Sequence, residues 1–144
     1  MSDSVPDPTA NLGRAIEGVR ARVPRQIGTV SAWVEWVKSG AQGANGCAVC
    51  DSRVDTQAHH IAGKFNSEVT VPVCERCHNR LSERQNGWDP RWERENNPPE
   101  LKATFVLRGL SDLCEERARF EGYAFHETGK RLRAQYAEAA KATA

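Results

Sequence analysis

The chain has no excess of charge, no long apolar run and few aromatic residues. Its 144 residues carry a formal net charge of +1, and only 7% are aromatic. With no global basic field, nothing in the total charge announces a nucleic-acid partner, and only a local patch could serve one. No apolar stretch approaches bilayer length, so no membrane partner is expected. The first residues, Met1 to Pro8, are polar and acidic. They lack the basic and apolar regions of a secretory signal, and an intracellular protein is expected. No internal repeat is present. Apolar residues make up 39% and charged residues 27%, which allows one domain with a modest core. A core of that kind often needs a staple, and a metal is one.

What the chain does have is concentrated between residues 47 and 82. Four of the five cysteines and three of the four histidines lie there. Cys47-Ala-Val-Cys50 and Cys74-Glu-Arg-Cys77 each place two thiolates about one turn apart. Together they complete a four-sulfur shell of the kind that holds structural zinc. Gly46 leaves the backbone room to bend before the first pair. The 23 residues between the pairs suffice for a strand, a loop and a second strand. A disulfide pair, a redox Cys-x-x-Cys or an iron–sulfur cluster are the other uses of such spacing. A redox pair normally opens a helix after a strand in an α/β pattern, which is missing. The fifth cysteine, Cys114, lies in an amphipathic pattern and reads as a small buried hydrophobe.

Around this segment the chain reads as helical. Residues 1–9 form an expected disordered tail, and residues 10–45 an N-terminal helical flank. Leu12, Ile16, Val19 and Val23 make one helical stripe, with Arg14, Arg20, Arg22 and Arg25 around it. Those arginines read as a solvated face or as a nucleic-acid contact. Pro24 ends that helix. A second helix is predicted from about Val30 to Lys38, with Val30, Trp33, Val34 and Val37 on one side. Trp33 and Trp36 could stack bases, but at helical spacing they read as core. Residues 39–46 are a small-residue linker, and 87–99 are linker turns marked by Gln85-Asn-Gly87, Asp89-Pro90 and Asn96-Asn-Pro-Pro99. C-terminal helices are expected over 100–144. A stripe through Leu101, Phe105, Leu110, Leu113, Cys114 and Phe120 reaches about His126. An interruption is expected at Thr128-Gly129, and a final helix over Lys130 to Lys141. The apolar stripe could pack on the domain or on a partner.

The histidines complete the pattern. His59-His60-Ile61 lies between the cysteine pairs, and His78 follows the second. If residues 57–61 are extended, His59 and His60 point to opposite sides. If Cys77 opens a helix, His78 and Ser82 share a face. One imidazole can then hold a metal while its neighbour stays free as a base, which is what metal-assisted phosphodiester hydrolysis requires. The pattern of Cys-x-x-Cys, then His59-His60-Ile61, then Val71-Pro-Val-Cys74-x-x-Cys77-His78 resembles the HNH endonucleases. It covers 36 residues, about a quarter of the chain.

The resemblance implies a small α+β fold. Its centre would be a ββα-metal, treble-clef-like core over residues 46–86, braced by structural zinc on Cys47, Cys50, Cys74 and Cys77 and flanked by helices. It implies a DNA-cutting enzyme of a bacterial or phage-infected cytoplasm, with His60 as general base. His59 and His78 would hold a catalytic divalent ion (Mg²⁺, Mn²⁺, Ni²⁺ or Zn²⁺). Ser82 stands where the family often has His or Asn, and is a weak ligand; Asn79 is weaker still. The middle asparagine of the family would fall at Val69, and the nearest asparagine is Asn66. Arg53, Lys64, Arg76, Arg80 and Arg84 could contact phosphates, or be ordinary solvated charge. The alternative is an inactive HNH-derived zinc module that docks on nucleic acid or a protein, with the terminal helices available for a partner or for self-association.

Overall fold

A computed structural model of the chain describes residues 30–144. The expected tail, the helix from Ala10 to Val23 and its arginines lie outside the described residues. Helix α1 (Val30–Lys38) buries Val30, Trp33, Val34 and Val37, a spacing that gathers its apolar side chains into one stripe. Trp33 belongs to the core, edge-on to Phe125 at 5.2 Å between ring centres. The half-buried Trp36 instead donates its indole N–H to the Gln42 carbonyl at 2.8 Å.

Strand β1 (Thr56–His60) pairs antiparallel with β2 (Thr70–Cys74), with His59 opposite Val71 and His60 opposite Thr70. Period-two alternation sends Val71 and Val73 into the core and leaves Pro72 half-buried. Proline cannot donate to a ladder, so a two-stranded sheet, which is all edge, tolerates it. Its carbonyl is used: the Ala48 N–H donates to it at 2.7 Å, docking the first cysteine turn onto β2. Helix α2 (Glu75–Gln85) starts directly after β2, with Cys74 as its extended N-cap residue, and buries Cys77, Leu81 and Gln85.

After a 3₁₀ turn (Pro90–Glu93) come two long helices, α3 (Pro99–Glu121) and α4 (Tyr123–Ala142). The fold is thus small and α+β, with four α-helices and one two-stranded antiparallel sheet among the described residues. No helix among them is long and apolar enough to cross a membrane.

The break between α3 and α4 corrects the sequence reading. It falls at Gly122, with φ 93° and ψ −148°, and not at Thr128-Gly129, which lie inside α4. Gly129 serves close packing. A Cβ there would lie 2.6 Å from Glu115 Cγ, and its carbonyl accepts from Ser111 Oγ at 2.8 Å. The Thr128 hydroxyl is absorbed by the Ala124 carbonyl one turn earlier. The apolar stripe of α3 packs within the domain through Leu101, Phe105, Leu110, Leu113 and Cys114, but Phe120 rolls off it and is 52% exposed. Burial pushes the Cys114 thiol up, keeping it protonated and unreactive.

Gly109 sets how α3 meets the sheet. A Cβ at this position would lie 1.7 Å from the Ile61 carbonyl oxygen, so the helix rests directly on the backbone that follows β1. Gly109→Ala is expected to destabilise the protein despite the ~1 kcal/mol that alanine gains in an open helix. Pushing α3 off Ile61 costs about 1–3 kcal/mol or more. Urea unfolding checks this, and a raised midpoint would mean that α3 does not rest on β1 in this way.

Candidate metal centre and histidine cleft

The first cysteine turn has no regular structure and is shaped by its own backbone contacts. The Cys47 N–H donates to the Ser52 carbonyl and the Asp51 N–H to the Cys47 carbonyl, each at 2.9 Å. A Cβ on Gly46 would lie 2.4 Å from the Ser52 oxygen, so only glycine lets the chain close here. The amides of Val49 and Cys50 point at the Cys47 sulfur, at 3.4 and 3.5 Å. The second pair needs no such turn, because the strand-to-helix junction places Cys74 at the N-cap and Cys77 in the first turn of α2.

The four sulfurs lie within 4.8 Å of one another, and all five cysteines are free thiols. Burial first, then the nearby Cys47 charge, pushes the Cys77 thiol up, and burial raises Cys50 as well. Four crowded sulfurs resist ionising together unless a cation compensates them. The cluster could hold a metal, and four thiolates suit zinc. No other group of three or more His, Cys, Asp or Glu side chains among the described residues converges so closely.

Arg117 of α3, which no local pattern singled out, braces this turn. Its Nη1 donates to the carbonyls of Ala48 at 3.0 Å and Val49 at 2.7 Å. Its Nη2 reaches Asp51 at 3.2 Å and Glu121 at 3.0 Å. The guanidinium is buried against the rings of Trp33 and Phe125. Its partners in the turn lie more than sixty residues away in sequence, so only the fold brings them together.

Two of the histidines meet where β1 faces α2. His59 of β1 is buried, and its ring stands edge-on to that of His78 in α2, at 5.7 Å between centres and 85° between planes. Burial, then charge on His78 and His60, holds the His59 imidazole down to about 4, so it is neutral with a lone pair to give at neutral pH. His60 is half-buried. All three line an open cleft of about 340 Å³, whose far wall includes Phe65, Trp92 and Glu93. Gln85 also lines it, whereas Ser82 and the exposed Asn79 do not. Gln85 Nε2 donates to the His60 carbonyl at 3.2 Å.

Asn66, the asparagine nearest Val69, is hydrogen-bonded into the loop that follows β1. It is buried, and its amide donates to the carbonyls of Ala62 and Trp92, both at 2.9 Å. It therefore pins the loop that leaves His60. Val69 contributes through its backbone: its carbonyl accepts from the Ile61 N–H at 3.2 Å. The segment read as linker turns walls the cleft. A Cβ on Gly63 would lie 2.7 Å from the Trp92 ring, so the loop and the 3₁₀ turn are in direct contact.

The basic residues divide. Arg53, Lys64 and Arg76 are exposed, with the Lys64 ammonium 5.1 Å from the centre of the Phe65 ring. Arg80 and Arg84 are tied to α3. Glu116 accepts from Arg80 at 2.7 Å and from Arg84 at 2.6 Å, and Glu115 also accepts from Arg84 at 2.6 Å. Burial pushes the Glu116 carboxyl up, but the hydrogen bonds from these two arginines outweigh it and hold it below the usual carboxylate range. Asp112 extends the seam, accepting from the Trp88 indole at 2.8 Å and pairing with Arg133 at 3.1 Å. Arg80 and Arg84 thus join α2 to α3 whatever else they do.

Comparison with protein-family models, with curated proteins and with solved structures finds no match.

Proposed function

We propose that the protein is a metal-dependent endonuclease of the HNH type that hydrolyses DNA phosphodiester bonds, with structural zinc on Cys47, Cys50, Cys74 and Cys77. The observation that carries this reading is the edge-on pair of His59 and His78, 5.7 Å apart, opening on a cleft that also contains His60. Two imidazoles on separate elements suit a divalent ion, and a third, adjacent to the first on β1, is left as a base.

A divalent ion in the cleft would supply Lewis-acid stabilisation of charge on the phosphate and on the leaving oxygen. His59 and His78 would hold it, with water and substrate phosphate completing the shell. His60 takes the proton from the attacking water as its oxygen bonds to phosphorus; the bond to the leaving oxygen breaks, and that oxygen is then protonated. Gln85 and Asn66 hold the backbone at and just after the base. Arg53, Lys64 and Arg76 are the cations open to phosphate contact. The reading carries with it a cytoplasmic location and DNA as partner.

A second reading is a binding module that has lost its ion. Two of the five nearby cations are tied to carboxylates, and serine at position 82 is a poor ligand, which favours docking over chemistry. Plasmid cleavage with Mg²⁺, Mn²⁺, Ni²⁺ or Zn²⁺ separates the two. Wild type is expected to nick or cut, and His60→Ala to lose about 10²–10⁴-fold in rate. Equal cutting by both would remove His60 from the chemistry, and no cutting with any ion would leave the binding module.

A further inference from the structure

Two buried asparagines link the histidine loop to the start of α3. Asn97, 7% exposed, lies just before the prolines that open that helix. Its Nδ2 donates to Asn66 Oδ1 at 2.9 Å and to the Arg91 carbonyl at 2.8 Å. Asn66 in turn donates to Ala62 and Trp92.

The direction of this chain is set by its ends. Backbone carbonyls can only accept, so both amide groups must point their nitrogens at them. Asn66 then has only its oxygen left for Asn97, which meets it with its remaining N–H. Each donor has an acceptor and no orientation can be reversed without facing two acceptors at each other. The loop at Ala62, two residues after His60, is thereby tied to Arg91, Trp92 and Asn97, of which Trp92 lines the histidine cleft.

We propose that Asn97 is a positioning residue of the histidine site, acting through Asn66 to hold the loop after His60 against the wall that carries Trp92. The role in turnover rests on the nuclease reading; the role in holding the loop does not. Asn97 touches none of the three imidazoles in this relay, so its effect is on their placement.

The test compares wild type, Asn97→Ala, Asn66→Ala and the double variant. Amide hydrogen exchange over residues 61–67 is expected to quicken on the order of tenfold in Asn97→Ala, the size of one lost hydrogen bond. The visible spectrum of cobalt bound at the four cysteines is expected to stay unchanged, showing that the cysteine turn is intact. Cleavage is expected to lose roughly 100-fold in kcat with KM little changed, as for a displaced catalytic group. The double variant should be no worse than the poorer single one, because both break the same chain. Should Asn97→Ala not fold, Asn97→Ser, which keeps one donor, gives the same comparison at partial loss. Unchanged exchange over 61–67, or additive losses in the double variant, would overturn the proposal. If wild type does not cut, the nuclease reading fails while the exchange data still decide the relay.

Discussion

Cys47→Ser, or exposure of the wild type to a strong chelator, is expected to abolish the cooperative thermal transition of the domain. The cysteine turn has no secondary structure to fall back on. A lone two-stranded hairpin is marginal in water at best, and here it carries Cys74, His59 and His60. Structural zinc on such a cluster contributes ~10–16 kcal/mol of folding free energy, comparable with the whole stability of an ordinary domain, ~5–15 kcal/mol. The long helices α3 and α4 pack on each other and should retain helical signal, so the sharper reporter is tryptophan near-ultraviolet dichroism. It should collapse on chelation and return on adding zinc. Equal melting temperatures with and without chelator would show that the four thiols are not a metal staple.

Arg117→Ala should be the most damaging change outside the cysteines. It would remove the donor that the carbonyls of Ala48 and Val49 and the buried carboxylate of Glu121 accept from. Removing one partner from a buried charge cluster costs ~3–5 kcal/mol. The effect should reach the metal centre, since those carbonyls belong to the turn that carries Cys47 and Cys50. Zinc affinity, read by competition with a chelating dye, is expected to fall together with the urea midpoint. Arg117→Lys should not rescue either, because one ammonium cannot replace a planar fork serving two carbonyls and two carboxylates. A lysine variant as stable as wild type would show that the positive charge alone is what the site uses.

Parts of this fold are visible in the chain and parts are not, and the division follows the range of the interactions. The helix over Val30–Lys38 is legible because its buried residues repeat with the helical period. The two cysteine pairs are legible because ligands of one ion must be close, and short spacing makes them so. The adjacent His59 and His60 are legible as a pair that a strand would separate. By contrast, Thr128-Gly129 looks like a helix stop in isolation. It is helical because α3 needs a residue without a side chain beneath Ser111 and Glu115. Arg80 and Arg84 look like open cations until the carboxylates of α3 arrive beside them. Asn97 sits in what reads as a turn-rich linker.

Local spacing alone, then, settled that four sulfurs could share an ion and that two adjacent imidazoles would part if their segment were extended. Ligand number and backbone period do not depend on distant partners. Which arginine braces the cysteine turn and which asparagines hold the loop after His60 were decided only by the tertiary fold. Each of those contacts joins residues tens of positions apart, and a buried polar group takes its meaning from the partner that satisfies it.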